Sequence, residues 1–216
     1  LRLVVPLAPG GTTDILARTM SQGLAGPLGQ TVVVENRSGA GGTVGTDVVA
    51  KSPPDGYTLL IISADTYTTN AVLYTKLPYN LDKDLVPIAV FPSGPLVVAV
   101  APNVPARNLK EFIEWAKGKD LSMGSYAPGS YPQMVADLFV RQYGMKMQTI
   151  QYRGEAPMWT DLAGGFIDGA HGSYSAALSV LQSGRGHAVA VSRKRMSTPR
   201  RRRWTWVTFP LAAIIA

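Results

Sequence analysis

Apolar residues in this chain recur in short buried-looking runs, each followed by a glycine-rich turn and then by apolar positions at helical spacing. Leu3-Val4-Val5 reads as a strand, Pro9 to Asp14 as a turn, and Ile15, Leu16, Met20 and Leu24 as one face of a helix that Gly26 and Pro27 end. The unit recurs with a strand at Thr31–Glu35, a turn at Gly39–Gly42, a helix from Val44 to Lys51 and a break at Pro53-Pro54. A third strand is expected at Thr58–Ser63.

From Leu96 a second series follows: a strand to Val100, a helix over Leu109–Lys117, a strand at Leu121–Met123 and a helix near Pro132–Tyr143. Further strands are expected at Gln148–Tyr152, Phe166–Ala170 and His187–Ser192, with helices near Pro157–Ala163 and Tyr174–Gln182. Strands separated by helix-length segments predict a parallel α/β construction, because parallel neighbours need a crossover. The division expected is a first α/β domain over 1–97, a second over 98–192 and a basic, apolar tail over 193–216. Ser63 to Pro92 carries no clear period, and Phe91 to Pro95 is the candidate hinge.

Composition narrows the chemistry. The chain of 216 residues has 21 Lys and Arg against 14 Asp and Glu, for a net charge of +7. That excess lies wholly in Arg193, Lys194, Arg195 and Arg200 to Arg203, and without them basic and acidic residues balance at 14 each. A neutral body argues against a nucleic-acid-binding fold, whose charge would cover a surface. With no cysteine and 2 histidines, disulfides, thiolate chemistry and a multi-histidine metal site fall away. No stretch approaches the roughly 20 apolar residues of a membrane span. The chain starts in an apolar run without a signal peptide, as a mature or cropped exported protein would.

The strand, glycine loop and helix start recur at 9–14, 38–43, 124–131 and 172–175. Such a loop presents amides without intrahelical acceptors, backed by the helix dipole, and is suited to an anion. Each is equally an ordinary helix start. Gly10-Gly11 lacks the Lys-Ser or Lys-Thr of a phosphate loop, and the third glycine of Gly39-Ala40-Gly41-Gly42-Thr43-Val44-Gly45 comes one place late for a dinucleotide fingerprint. Asp14 reads as a first-turn cap before a catalytic acid, Asp65, Asp168 and Glu35 as ordinary loop or strand-end acids, and His171 as a packed, hydrogen-bonded residue.

In order along the chain, Pro9-Gly10-Gly11-Thr12-Thr13-Asp14, Val34-Glu35-Asn36-Arg37-Ser38-Gly39, Pro54-Asp55-Gly56-Tyr57-Thr58, Tyr152-Arg153-Gly154 and Asp161-Leu162-Ala163-Gly164-Gly165 resemble the Bug or TctC-like family. These are receptors of tripartite tricarboxylate transporters. The resemblance implies an exported periplasmic clamshell of two α/β domains, a monomer with no cofactor, metal or catalytic residue. It would bind a small organic carboxylate and hand it to a membrane permease, with no nucleic-acid partner. It further implies ligand contacts from Pro9, Gly10, Gly11, Thr12, Thr13 and Asp14, with Ser63, Asp65 and Thr66 beside them. Ser125, Ala127, Gly129, Ser130, Gly172 and Ser173 would face these from the second domain.

Two departures matter. No acid follows Asp168, where many members carry one near the place of Gly172, which argues against an amino-acid ligand. After Ser192 the family pattern gives way to the arginine run. A disrupted reading frame or truncated product, and a divergent solvated tail, both stay open, and Phe209 to Ala216 reads as a returning strand. The first domain is expected to be incomplete at its C-terminus, exposing apolar surface and weakening stability or binding. The rival readings are an α/β enzyme using the glycine loops for a cofactor or oxyanion, and a nucleic-acid or anionic-membrane binder acting through the tail.

Overall fold

Ten strands and seven α-helices build two five-stranded sheets in the computed structural model, which describes residues 1–92, 94–192 and 210–215. In the first sheet, β1 (Arg2–Val5) pairs in parallel with β2 (Val33–Asn36) and β3 (Thr58–Ser63). Helices α1 (Thr12–Leu28) and α2 (Thr43–Ala50) make the crossovers. Side chains alternate across a strand, so Leu3, Val5 and Ile61 pack with Ala17 of α1 on one face. Val4, Leu60 and Ile62 pack with Val49 of α2 on the other. Burial on both faces is why β1 and β3 read as unbroken apolar runs.

Helix α3 (Ala64–Leu73) follows β3 directly, and β4 (Val86–Pro92) forms a sheet edge. The last strand, β10 (Pro210–Ile215), lies between β3 and β4 and is antiparallel to both. Val86, Ile88 and Val90 of β4 are all exposed, an apolar row of the kind expected on the first half.

The second sheet runs β7-β6-β8-β5-β9. Its strands are β5 (Leu96–Val100), β6 (Asp120–Ser125), β7 (Lys146–Gln151), β8 (Gly169–Ser173) and β9 (His187–Val191). Its helices are α4 (Leu109–Ala116), α5 (Tyr131–Tyr143), α6 (Glu155–Gly164) and α7 (Tyr174–Gln182). One core, including Val97 to Ala101, Phe112, Met158, Trp159 and Leu162, fills this half. Leu96 and Val97 pair within this sheet together with the rest of β5.

Three expectations need correction. The construction is mixed, because β5 runs antiparallel to β8 and β9, and β10 to its neighbours. Helix α1 continues through Pro27 to a left-handed cap at Gly29; a proline in the last turn gives up only one amide bond. Strand β8 begins three residues later than expected. Gly165 ends α6 in a left-handed conformation, Phe166 is left exposed, and the Asp168 carboxylate instead accepts bonds from Ser122 N (2.8 Å) and Oγ (2.8 Å).

Candidate functional site

The two halves meet along the helix starts, around a cavity of about 350 Å³. From the first half, Leu7, Ala8, Gly11 to Asp14 and the start of α3 line it; from the second, Tyr126, Tyr131, Met134, Glu155 and Ser173. The glycine loops of the sequence therefore converge, although the contributions of individual residues differ from those expected.

Gly11, Thr12, Thr13 and Asp14 face the cavity, while Pro9 and Gly10 shape the turn behind them. Asp14 is buried and accepts bonds from Gly10 N (2.9 Å), Asn36 Nδ2 (3.0 Å) and both Nε (2.9 Å) and Nη2 (3.1 Å) of Arg18. Burial alone would raise its pKa, but the bonds from Arg18, Gly10 and Asn36 outweigh that and hold it below the usual carboxylate range. The side chain does not cap α1, whose N-cap is Gly11; it ties the turn to the helix behind it. A permanently ionised, fully bonded carboxylate is a brace, not an acid catalyst.

Ser63 and Asp65 also line the cavity. Thr66 is fully buried beneath it and receives the Ser63 hydroxyl at 2.8 Å. Asp65 is more than an ordinary loop acid. Its Oδ2 accepts Tyr126 OH (2.9 Å) and the Tyr131 amide (3.1 Å), both from the opposite half. Burial, then the neighbouring Asp65 and Glu155 carboxylates, pushes the Tyr126 hydroxyl well above the usual phenol range, so it remains a donor.

The 125–130 loop behaves differently from expectation. Ser125 and Ser130 are fully buried and bond each other (2.9 Å), and Ser125 Oγ donates to Ala127 O (3.0 Å). Neither serine, nor Ala127, nor Gly129 lines the cavity; these residues hold the loop so that Tyr126 and Tyr131 do. Gly129 instead abuts α3, where an added Cβ would lie 2.2 Å from Leu73 Cδ1. Gly39 to Gly42 does not reach the cavity; Gly41 O accepts Asn70 Nδ2 (2.9 Å), so this loop supports α3.

Gly172 lies behind Ser173 and is not part of the lining. A Cβ there would stand 2.9 Å from Glu155 Oε1. The space in which the sequence lacks an acid is thus filled by a carboxylate from α6. Glu155 is 6% exposed; its Oε2 accepts the Thr12 amide (3.0 Å) and its Oε1 accepts Ser173 N (2.7 Å) and Oγ (2.8 Å). Two further bonds join the halves, Ala8 N to Arg153 O (2.8 Å) and the Thr12 and Ser175 hydroxyls (2.8 Å). Gly154 makes this approach possible, because a Cβ on it would meet Ala8 N at 2.9 Å.

Glu155, Tyr126, Tyr131 and Met134 were not foreseen. The signal for Glu155 was available: Gly154-Glu155 after a strand is a fifth glycine turn leading into a helix. His171 is buried beside the Tyr131 ring (6.1 Å between centroids), and its Nδ1 has no hydrogen-bond partner, contrary to the hydrogen-bonded residue expected. The arginine run and the tail-binding reading fall outside the described residues.

A family model described as "Tripartite tricarboxylate transporter family receptor" matches residues 16–200. Protein BugT of Bordetella pertussis is 35% identical over 201 residues, covering 92% of this chain and 62% of BugT. Among solved structures, "R. palustris Rpa4515 with adipate" superposes with a TM-score of 0.85 at 33% identity, covering 89% of this chain and 65% of that one. "MatC (Rpa3494) from Rhodopseudomonas palustris with bound malate" gives 0.81 at 30% identity, covering 89% and 66%. The fold is that of the α/β periplasmic binding proteins, and the chain spans less than two thirds of the length of BugT and 65–66% of the solved structures.

Proposed function

The chain belongs to the receptor family of the tripartite tricarboxylate transporters, and from that premise we propose that it binds a small organic carboxylate between its two halves. The family is one of binding proteins, not enzymes, so the glycine loops need no cofactor or oxyanion role. The single observation that carries the reading is the cavity of about 350 Å³ bounded by helix starts from both halves.

Thr13 and Asp14, second and third residues of α1, and Ala64, first residue of α3, have amides without i−4 acceptors and line that space. These amides, with the dipoles behind them, would receive the carboxylate, and closure of the second half would then exclude water from it. Adipate and malate in the two similar structures fit this chemistry. We further propose that the receptor works as a monomer in the periplasm, without a nucleic-acid partner, and passes its ligand to a membrane permease.

The test is calorimetry and thermal shift across mono-, di- and tricarboxylates and aromatic acids. At least one acid should bind saturably at one site and raise the melting temperature. A cooperatively folded sample that binds none of them would overturn the proposal.

A further inference from the structure

The helix starts around the cavity differ in what they still have to offer. Glu155 Oε2 already takes the first amide of α1, and Glu155 Oε1 takes the amide and hydroxyl of Ser173, the N-cap of α7. Asp65 likewise takes the first amide of α5. At each of these three starts one backbone amide is therefore already taken by the chain's own carboxylates, and each of these bonds is charge-assisted. Gly172 provides the room for Glu155, since a Cβ there would press on Oε1.

What remains for a ligand is unequal. Thr13, Asp14 and Ala64, whose first-turn amides have no i−4 acceptor, line the cavity from the first half. The cavity is also lined by Leu7, Leu96, Met134 and the two tyrosine rings, and none of its described lining residues is Lys, Arg or His. A second ligand carboxylate would enter mainly apolar surroundings close to the carboxylates of Asp65 and Glu155, with no cation among the described lining residues to receive it.

We propose that Glu155 is the specificity-determining residue of this cleft: by filling the donors of Thr12 and Ser173 it limits the ligand to one carboxylate on an uncharged, mainly apolar body. This rests on the carboxylate-receptor reading above and assigns its ligand class. Glu155 supplies internally the negative charge that a second ligand carboxylate would bring to the same two helix starts.

The experiment is calorimetry with matched pairs of straight-chain mono- and dicarboxylates of three to eight carbons, and with benzoate against terephthalate, on the wild-type chain and on Glu155→Gln. Wild-type protein should bind the better monocarboxylates at least about tenfold more tightly than their dicarboxylate partners. Glu155→Gln places an NH2 group against one of the amides and removes the charge, so the ratio should fall by at least about tenfold toward the dicarboxylates. Dicarboxylates binding the wild-type chain as tightly as their partners would overturn the assignment while leaving the receptor reading intact. So would an unchanged ratio in a cooperatively melting Glu155→Gln variant. If that variant does not fold, the wild-type ratio decides alone. Binding of none of the acids to folded wild-type protein would overturn the receptor reading and this inference together.

Discussion

His171 and Asp14 are both buried, yet their surroundings move them in opposite senses. Asp14 has four donors around it and stays ionised, whereas His171 gains nothing from its neighbours that would support a charge, and burial lowers its pKa from 6.5 to about 4. The unfolded chain therefore binds a proton at His171 between about pH 6.5 and 4 that the folded chain does not. Stability from this site is complete above the unfolded value and is lost as pH falls across that window, by on the order of 3 kcal/mol in all. Melting temperature followed from pH 7 to pH 4 should drop through this range, and His171→Leu should flatten that part of the profile. A profile identical to wild type would show that another group controls it. Residue chemistry of this kind was only half legible in the sequence. Asp14 was placed in the turn, but its partner Asn36 lies on β2, 22 positions away. Likewise Glu155 had no visible partner until Thr12, 143 positions distant, was brought against it.

At the scale of elements, the parts with a strong period were readable and those with a weak one were not. β3 and α7 follow the expected bounds because one is an unbroken apolar run and the other begins at a glycine turn. α3 carries three threonines, a tyrosine and an asparagine in ten residues, a composition of low helix propensity, and Val72 points outward while Leu73 stays half-exposed beside Gly129. Its helical form comes from packing, including the Asn70 bond to Gly41 and the Asp65 bonds to the second half. β4 was hidden by Pro87 and Pro92, which suit an edge strand and not a central one. The approach of α3 to the 125–130 loop depends on Gly129, whose φ is +67° and which has no space for a Cβ against Leu73 and Thr69. Gly129→Ala strains the backbone at this φ, displaces the Leu73 side chain and crowds Thr69, so it should loosen the contact between the halves. Small-angle scattering should then show an expanded chain, and carboxylate affinity should fall about tenfold or more. A variant with wild-type dimensions and affinity would show that this contact does not set closure.

Taken as a whole molecule, the protein is two sheets joined across a cleft by carboxylates that reciprocate: Asp65 reaches from the first half to Tyr126 and Tyr131, and Glu155 reaches from the second to Thr12. Charge-assisted bonds of this sort contribute on the order of 2 kcal/mol each, comparable to the bias needed to shift an open and closed equilibrium. The order of motifs along the chain carried the family and the α/β architecture, because each motif is local. Strand order and the antiparallel placement of β5 and β10 were not legible, since pairing is a contact between distant segments. The same holds for the cavity, which belongs to neither half alone. The most direct test is a ligand-soaked crystal structure using the tightest acid from the binding panel. Electron density should appear in the cavity, with the ligand carboxylate on the amides of Thr13 and Ala64 and its body toward Met134. A saturably bound acid found elsewhere on the molecule, with the cleft between Thr13 and Met134 unchanged, would contradict it.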